Sequence, residues 1–314
     1  MADPLTNGLF RLKFQALGTV CEIQFRTESV AGAKEFRKVA LDWLRDFENR
    51  WSRFKPESFL SRINANAGRE PIDYDENDAE IFQLCDHVHR VSRGLNDPTS
   101  LPLTLLWDKA GREDRMPSDD DIESIRQLVS WPEFEWKDGR VFLPERGMAL
   151  EIGGFGKEYA VDRLVALARQ CDIRDGLVDL GRDVAAFGRP PDGDAWVVGV
   201  EEARREDKAL HRLALDDHGM TTSGNGRRYR TIEGRRFGHI IDPRSGWPVK
   251  NEVLTVTCLA NDCLTAGQVS TTSCILGMKD GLEFVETIHG VEAIIQGAGE
   301  DRHSSRFFQH VLPQ

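Results

Sequence analysis

Apolar and polar positions alternate with a period of two over residues 9–27 (LFRLKFQALGTVCEIQFRT), where Cys21, Ile23 and Phe25 share one face. The pattern predicts strand, turn at Gly18, strand. At 32–51 the period lengthens: Phe36, Val39, Ala40, Trp43, Leu44, Phe47 and Trp51 recur at helical spacing. That is an amphipathic helix of about five turns. SFLSRINAN reads as a short helix with a polar exit. Residues 77–93 form a further helix, with Ile81, Leu84, Cys85, Val88 and Val91 inward and Gly94 as its stop. NDPTSLPLTLLWDKAG is a proline-marked loop entering a helix. The charged stretch 111–121 is a solvated connector, and Ser118 caps the helix that ESIRQLVS continues. FEW, RVFLP and ALEI read as short strands before a glycine turn, and a helix follows over 157–171.

The second half is richer in strands: GLVDLG, DVAAFG, AWVVGVE, ALHRLALD, RRYRTI, RRFGHII and VLTVTCLA alternate or run apolar. Residues 188–194 and 233–234 read as hairpin connections. Helices over 263–277 and 279–289 are followed by strands EAIIQG and RFFQHV. Helices and hairpins interleave without a regular βαβ repeat. The expected class is therefore mixed α+β, not a doubly wound parallel sheet.

Composition narrows the function classes. The 314 residues are 40% hydrophobic and 30% charged, with a net charge of -11. No basic stripe exists, which argues against a nucleic-acid partner. No run of about 18 apolar residues exists, so no membrane span is expected. MADPLTNGLF lacks the charged and apolar regions of a secretory signal, which makes the cytoplasm the expected location. Six scattered cysteines without a CxxC pair read as buried thiols of a reducing compartment. Cys85, His87 and His89 superficially suggest a metal box, but only Cys85 and His89 share a helix face.

The candidate chemistry starts at EIGGFGKEYAVDRL, residues 151–164. A strand end, three glycines, a lysine and a helix start make a cradle suited to an anion. The spacing is neither GxGxxG nor GxxxxGK[ST], so on its own this stretch reads as a tight strand–helix packing turn more readily than as a phosphate site. Other stretches add weight. GLVDLGRDVAAFG carries Asp183 after a glycine; MTTSGNGRRY crowds hydroxyls and glycines into one loop. GHIIDPRSGWPV places His239 on an apolar strand before Asp242. LTAGQVSTTSCILG is a helix bearing Gly267, Ser270, Thr271 and Cys274.

Taken in order with WSRFKPESFLSRINA (51–65) and GLNDPTSLPLTLLW (94–107), these blocks resemble the ApbE family of flavin transferases. The resemblance implies one ApbE-like unit over 1–314, with two lobes around a single cleft. It implies FAD as ligand and substrate, with Mg2+ beside the diphosphate. The implied reaction moves FMN to a threonine or serine hydroxyl of a target flavoprotein and releases AMP. The alternatives are a non-catalytic FAD- or nucleotide-binding homologue and a scaffold that kept the fold.

Carried over position by position, the resemblance places the metal at the carbonyl of Gly156 and at Thr271, with a carboxylate four residues before Thr271. Here that position is Gly267. Glu158 is the substitute suggested by its place in the glycine turn; Asp262, five residues before Gly267, is poorly placed. On this reading Gly267→Asp restores the carboxylate and leaves folding unharmed. Other departures fall at Gly156-Lys157-Glu158, where Ala-Lys-Gly is usual, and at Gly181-Arg182-Asp183, where Gly-Gly-Asp is usual. Asn96 stands where Phe is usual. Arg182 either clamps the diphosphate, fills the pocket, or reaches to solvent. His239 is expected near the diphosphate, in proton transfer or orientation. Asp97, Thr99, Ser223 and Gly224 are cofactor-loop candidates that turn chemistry also explains. Trp51 either stacks on a flat ring or closes its helix against the core.

Overall fold

The computed structural model of the protein describes residues 3–4, 8–191, 193–205, 208–226 and 228–313. Asp192, inside the expected 188–194 connection, and Arg227, at the start of RRYRTI, lie outside the described residues. The architecture is mixed α+β, as the alternating periods require. The chain divides into two compact units, each discontinuous in sequence. One comprises Met1–Phe47, Phe155–Ser223 and Glu252–Gln314; the other comprises Glu48–Gly154 and Gly224–Asn251.

The first unit is built on a nine-stranded sheet. Its order runs Asp3–Pro4, Leu9–Ala16, Thr19–Arg26, Gly176–Leu180, Val184–Phe187, Gly219–Gly224, Val253–Ala260, Glu292–Gly297 and Asp301–His303. Leu9–Ala16 and Thr19–Arg26 pair antiparallel in full register, from Leu9 opposite Arg26 to Ala16 opposite Thr19. Leu17 and Gly18 between them both have positive φ (51° and 70°), the two-residue turn whose twist matches a hairpin. Leu12, Ile23 and Phe25 point into the core, where the Phe25 ring meets the edge of Phe36 at 4.9 Å. Burying a side chain of that size contributes about 2–3 kcal/mol. The Gly156–Gln170, Cys263–Leu276 and Met278–Thr287 helices belong to this unit, with most of the long Val30–Trp51 helix and the hairpin of Trp196–Glu201 and Ala209–Leu215.

The second unit holds the Phe59–Ala65, Ala79–Val91, Leu101–Glu113 and Asp119–Arg126 helices with small antiparallel sheets. Ser118 caps the last of these helices in a reciprocal capping box with Asp121, as its sequence signature predicts. Trp107 is fully buried with Ala110, Ile122 and Ile232, and its indole N–H donates to the Gly246 carbonyl at 2.8 Å. Glu233 and Gly234, both with positive φ, turn the Tyr229–Ile232 and Arg235–Gly238 hairpin.

Two expected strands are absent. ALEI makes only an isolated bridge, Ala149 to Ser100, because the Asn64 side-chain amide takes the place of a neighbouring strand. It donates to the Leu150 carbonyl at 2.9 Å and accepts from the Leu150 N–H at 2.7 Å. RFFQHV forms a 3-10 turn, Phe307–His310. The Glu292 carboxylate bends the chain there by accepting from Arg306 N–H at 3.0 Å and from the Ser304 hydroxyl.

Candidate active site

In the first unit, the candidate residues converge around two helices that cross in an antiparallel sense. Asp162 accepts from the N–H groups of Cys263 and Leu264, both at 2.9 Å. One turn earlier on the same helix, Glu158 faces Gly267, one turn further along the other. A Cβ placed on Gly267 would stand 2.6 Å from Glu158 Cγ and 2.9 Å from Oε1. The Glu158 side chain therefore fills the space that a side chain at 267 would need. The expectation that Gly267→Asp is harmless is overturned: the helix propensity gained is a fraction of a kcal/mol, whereas overpacking costs about 1–3 kcal/mol.

Asp262 is occupied elsewhere. It caps the Cys263–Leu276 helix, accepting from Thr265 N–H at 2.6 Å and from the Thr265 hydroxyl at 2.9 Å. Asp162 is the more unusual carboxyl, pushed up to about 7 by burial. Its two backbone donors oppose that shift, while the negative charges of Asp262 and Glu158 reinforce it.

Lys157, half-buried, forms an ion pair with buried Asp183. Asp183 is delivered by a hairpin in which Gly181 and Arg182 both have positive φ (72° and 82°). A Cβ on Gly181 would collide with Thr19, so that glycine is obligatory. The Arg182 guanidinium turns outward and meets Glu201 at 2.8 Å, with its side chain 53% exposed. Of its three readings, the solvent-facing one describes the geometry; the clamp and the plug do not.

Where the Gly219–Gly224 strand meets the Cys263–Leu276 helix, four hydroxyls form a network. Ser223 Oγ lies 2.9 Å from Thr271 Oγ1 and 2.8 Å from Ser270 Oγ. Ser270 also meets Thr221 at 3.2 Å and donates to the Gly267 carbonyl at 3.0 Å.

In the second unit, several candidates serve the fold instead. Asp97 and Thr99 are buried, and Asp97 accepts from the Thr99 N–H and hydroxyl and, at 3.1 Å, from Trp131 N–H. The Thr99 hydroxyl in turn accepts from Ser130 N–H at 2.8 Å. This Asx-type turn engages both side chains in internal hydrogen bonds, the turn chemistry that the sequence also allows for them. Trp51 is 6% exposed, with its rings edge-on to Phe59 and Phe82, the packing of a residue that closes its helix against the core. Asp242 pairs with Arg244 at 2.7 Å, and its carbonyl accepts from Gly246 N–H. Gly224 ends its strand; the neighbouring Asn225 side chain occupies the space a Cβ on Gly238 would need. His239 is half-buried, its Nδ1 at 3.2 Å from the Arg228 carbonyl. A Cβ on Gly154 would stand 2.8 Å from Asn96 Oδ1, so this glycine packs closely against the Asn96 side chain.

The fold has known counterparts. The model of the ApbE family matches residues 17–295. The chain belongs to the ApbE family. A Vibrio cholerae protein named FAD:protein FMN transferase is 24% identical over 274 residues, spanning 86% of this chain and 82% of that protein. A Klebsiella pneumoniae protein of the same name is 29% identical over 253 residues, spanning 79% of this chain and 77% of that protein. The solved ApbE protein of Thermotoga maritima superposes with a TM-score of 0.87 at 26% identity, covering 97% of this chain and all (100%) of its own. The flavin transferase ApbE of Vibrio cholerae gives 0.84 at 21% identity, covering 96% and 99%, and shows the shared fold.

Within the ApbE frame, sequence reading missed three things. Ser270 and Thr221 carry no motif signal beyond hydroxyl richness. Asp162 was legible as a helix residue four positions after Glu158, but not as the cap of a second helix. Half-buried Glu151 accepts from Thr104 at 2.8 Å and lies 3.5 Å from Arg53. Burial pushes its carboxyl up, against the pull of Arg53.

Proposed function

We propose that the protein is an FAD:protein FMN transferase that modifies a threonine or serine hydroxyl of a flavoprotein acceptor. The hydroxyl oxygen forms a bond to the FMN-side phosphorus of FAD. The bond from that phosphorus to the AMP oxygen breaks, AMP leaves, and the hydroxyl proton passes to a base. The observation that carries this reading is the Glu158 carboxylate set against Gly267, one helical turn from Thr271 on the same face.

That arrangement fits a hard divalent cation such as Mg2+, which takes one or two carboxylates plus neutral oxygens. Glu158, Thr271 and the Gly156 carbonyl would hold it. What it supplies when bound is neutralisation of charge on the diphosphate. Lys157, oriented by Asp183, adds a fixed positive charge for the same anion, and Gly181 lends it a close-approach backbone. His239 is assigned the proton step. Its Nδ1 lies 3.2 Å from the Arg228 carbonyl, and a hydrogen bond between them is donated by Nδ1–H.

No helix among the described residues is long and apolar enough to cross a membrane. Buried cysteines without disulfides suit a reducing compartment, and we place the protein in the cytoplasm on that ground.

The test is to incubate purified protein with FAD, Mg2+ and a flavoprotein acceptor. AMP appears in the supernatant and fluorescent flavin remains on the denatured acceptor. FAD binding without AMP release would make this chain a flavin-binding homologue instead.

A further inference from the structure

The four contacts of the hydroxyl network in the first unit are all satisfied together by only one arrangement of protons. A serine or threonine hydroxyl donates once and accepts at most twice. Ser270, fully buried, spends its proton on the Gly267 carbonyl at 3.0 Å. Its contacts with Thr221 at 3.2 Å and Ser223 at 2.8 Å must therefore be bonds that Ser270 accepts. Ser223 has then spent its own proton, so its 2.9 Å contact with Thr271 requires Thr271 to donate. The chain runs Thr271 to Ser223 to Ser270 to the Gly267 carbonyl. Its buried end is tied to backbone, and burial makes a broken link costly.

The consequence lies at the half-buried end. Thr271 Oγ1 has no proton left and offers only lone pairs. A phosphate oxygen needs a donor and gains nothing from such an atom. A cation gains a ligand. Beside it, the helix surface at Gly267 is covered by the Glu158 carboxylate, an oxygen donor of the same hard class. We infer that Ser270 and Ser223 are positioning residues that hold Thr271 as an acceptor-only oxygen for a hard divalent cation. The inference rests on the transferase reading for the identity of the site and adds what makes the threonine a cation ligand instead of an anion donor.

Mn2+ serves as the probe, read by the loss of its free electron-paramagnetic-resonance signal on titration into protein saturated with FAD. FAD binding in EDTA, read by flavin fluorescence, is the control. Ser270→Ala frees the Ser223 proton to point at Thr271, and Ser223→Ala removes the proton's destination. Each weakens Mn2+ binding about tenfold or more, a coupling of about 1.4 kcal/mol, and leaves FAD affinity in EDTA unchanged. Ser223→Thr keeps the hydroxyl and restores Mn2+ binding. Thr221→Val deletes a bond of the same buried cluster without reversing the chain, and leaves Mn2+ binding at the wild-type level.

Equal Mn2+ affinity in Ser270→Ala and wild type overturns the inference. So does a loss in Thr221→Val as large as in Ser270→Ala, which would reduce the network to packing. If Ser270→Ala does not fold, the Ser223→Ala and Ser223→Thr pair decides by the same criterion. Wild type that binds Mn2+ through this chain but releases no AMP with acceptor sinks the transferase reading and spares the inference. Wild type that releases AMP but binds no Mn2+ does the reverse.

Discussion

The two compact units use similar polar residues to different ends. In the second unit, Asp97 and Thr99 close on each other and on the N–H groups of Ser130 and Trp131. Every strong partner is internal, and the pair stabilises a turn. In the first unit, the Glu158 carboxylate is laid against a glycine, and the Thr271 hydroxyl sits at the outer end of a proton chain. A motif of acids and hydroxyls does not by itself distinguish the two cases. What distinguishes them is where the acid is placed: Asp97 closes a turn of its own segment, whereas Glu158 is set against a glycine of another helix.

The strongest break of the comparison is Asp97→Ala. It strands the Trp131 and Thr99 donors and should cost about 3 kcal/mol in urea unfolding. FAD affinity of the folded fraction should stay unchanged; a selective loss of FAD binding would return Asp97 to the cofactor site. Next comes Gly267→Asp, expected to cost about 1–3 kcal/mol because its side chain meets Glu158. Adding Glu158→Gly should recover most of that loss. A double-mutant cycle giving coupling below about 0.5 kcal/mol would show that the two positions do not share one space.

Asp162 sharpens the comparison through pH. Its folded value of about 7 lies above its ordinary 3.8, so the folded state holds the proton longer than the unfolded chain. Its contribution to stability is present below pH 4 and is lost as the pH rises toward 7. Melting temperature should therefore fall over that window, and Asp162→Asn should flatten the fall. An unchanged slope in the variant would assign the effect to other groups.

The smallest effect is expected at Arg182. A side chain at φ 82° carries about 1–2 kcal/mol of backbone strain, against an exposed pair with Glu201 worth about 0–1 kcal/mol. Arg182→Gly should thus stabilise by about 1 kcal/mol, whereas Arg182→Ala, which keeps the strain and loses the pair, should not. A drop in FAD affinity in Arg182→Gly would revive the clamp.

Much of this protein is readable from local sequence. The 9–27 hairpin, the long 32–51 helix, the Ser118 cap and the turn at 233–234 depend on side-chain period and on residues a few positions away. Those forces act within one element, so sequence alone determined them. Sequence order also carried the family blocks, and with them the missing carboxylate at Gly267. The strands ALEI and RFFQHV were not readable, because distant acceptors and donors, Asn64 and Glu292, captured their backbone groups. The same holds for the site. Glu158 and Gly267 are 109 positions apart in the numbering, and only the antiparallel crossing of their helices, pinned by Asp162 on Cys263 and Leu264, sets one against the other. Proton direction among Thr271, Ser223 and Ser270 likewise depends on which partners lie within about 3 Å, a property of packing that no residue carries alone.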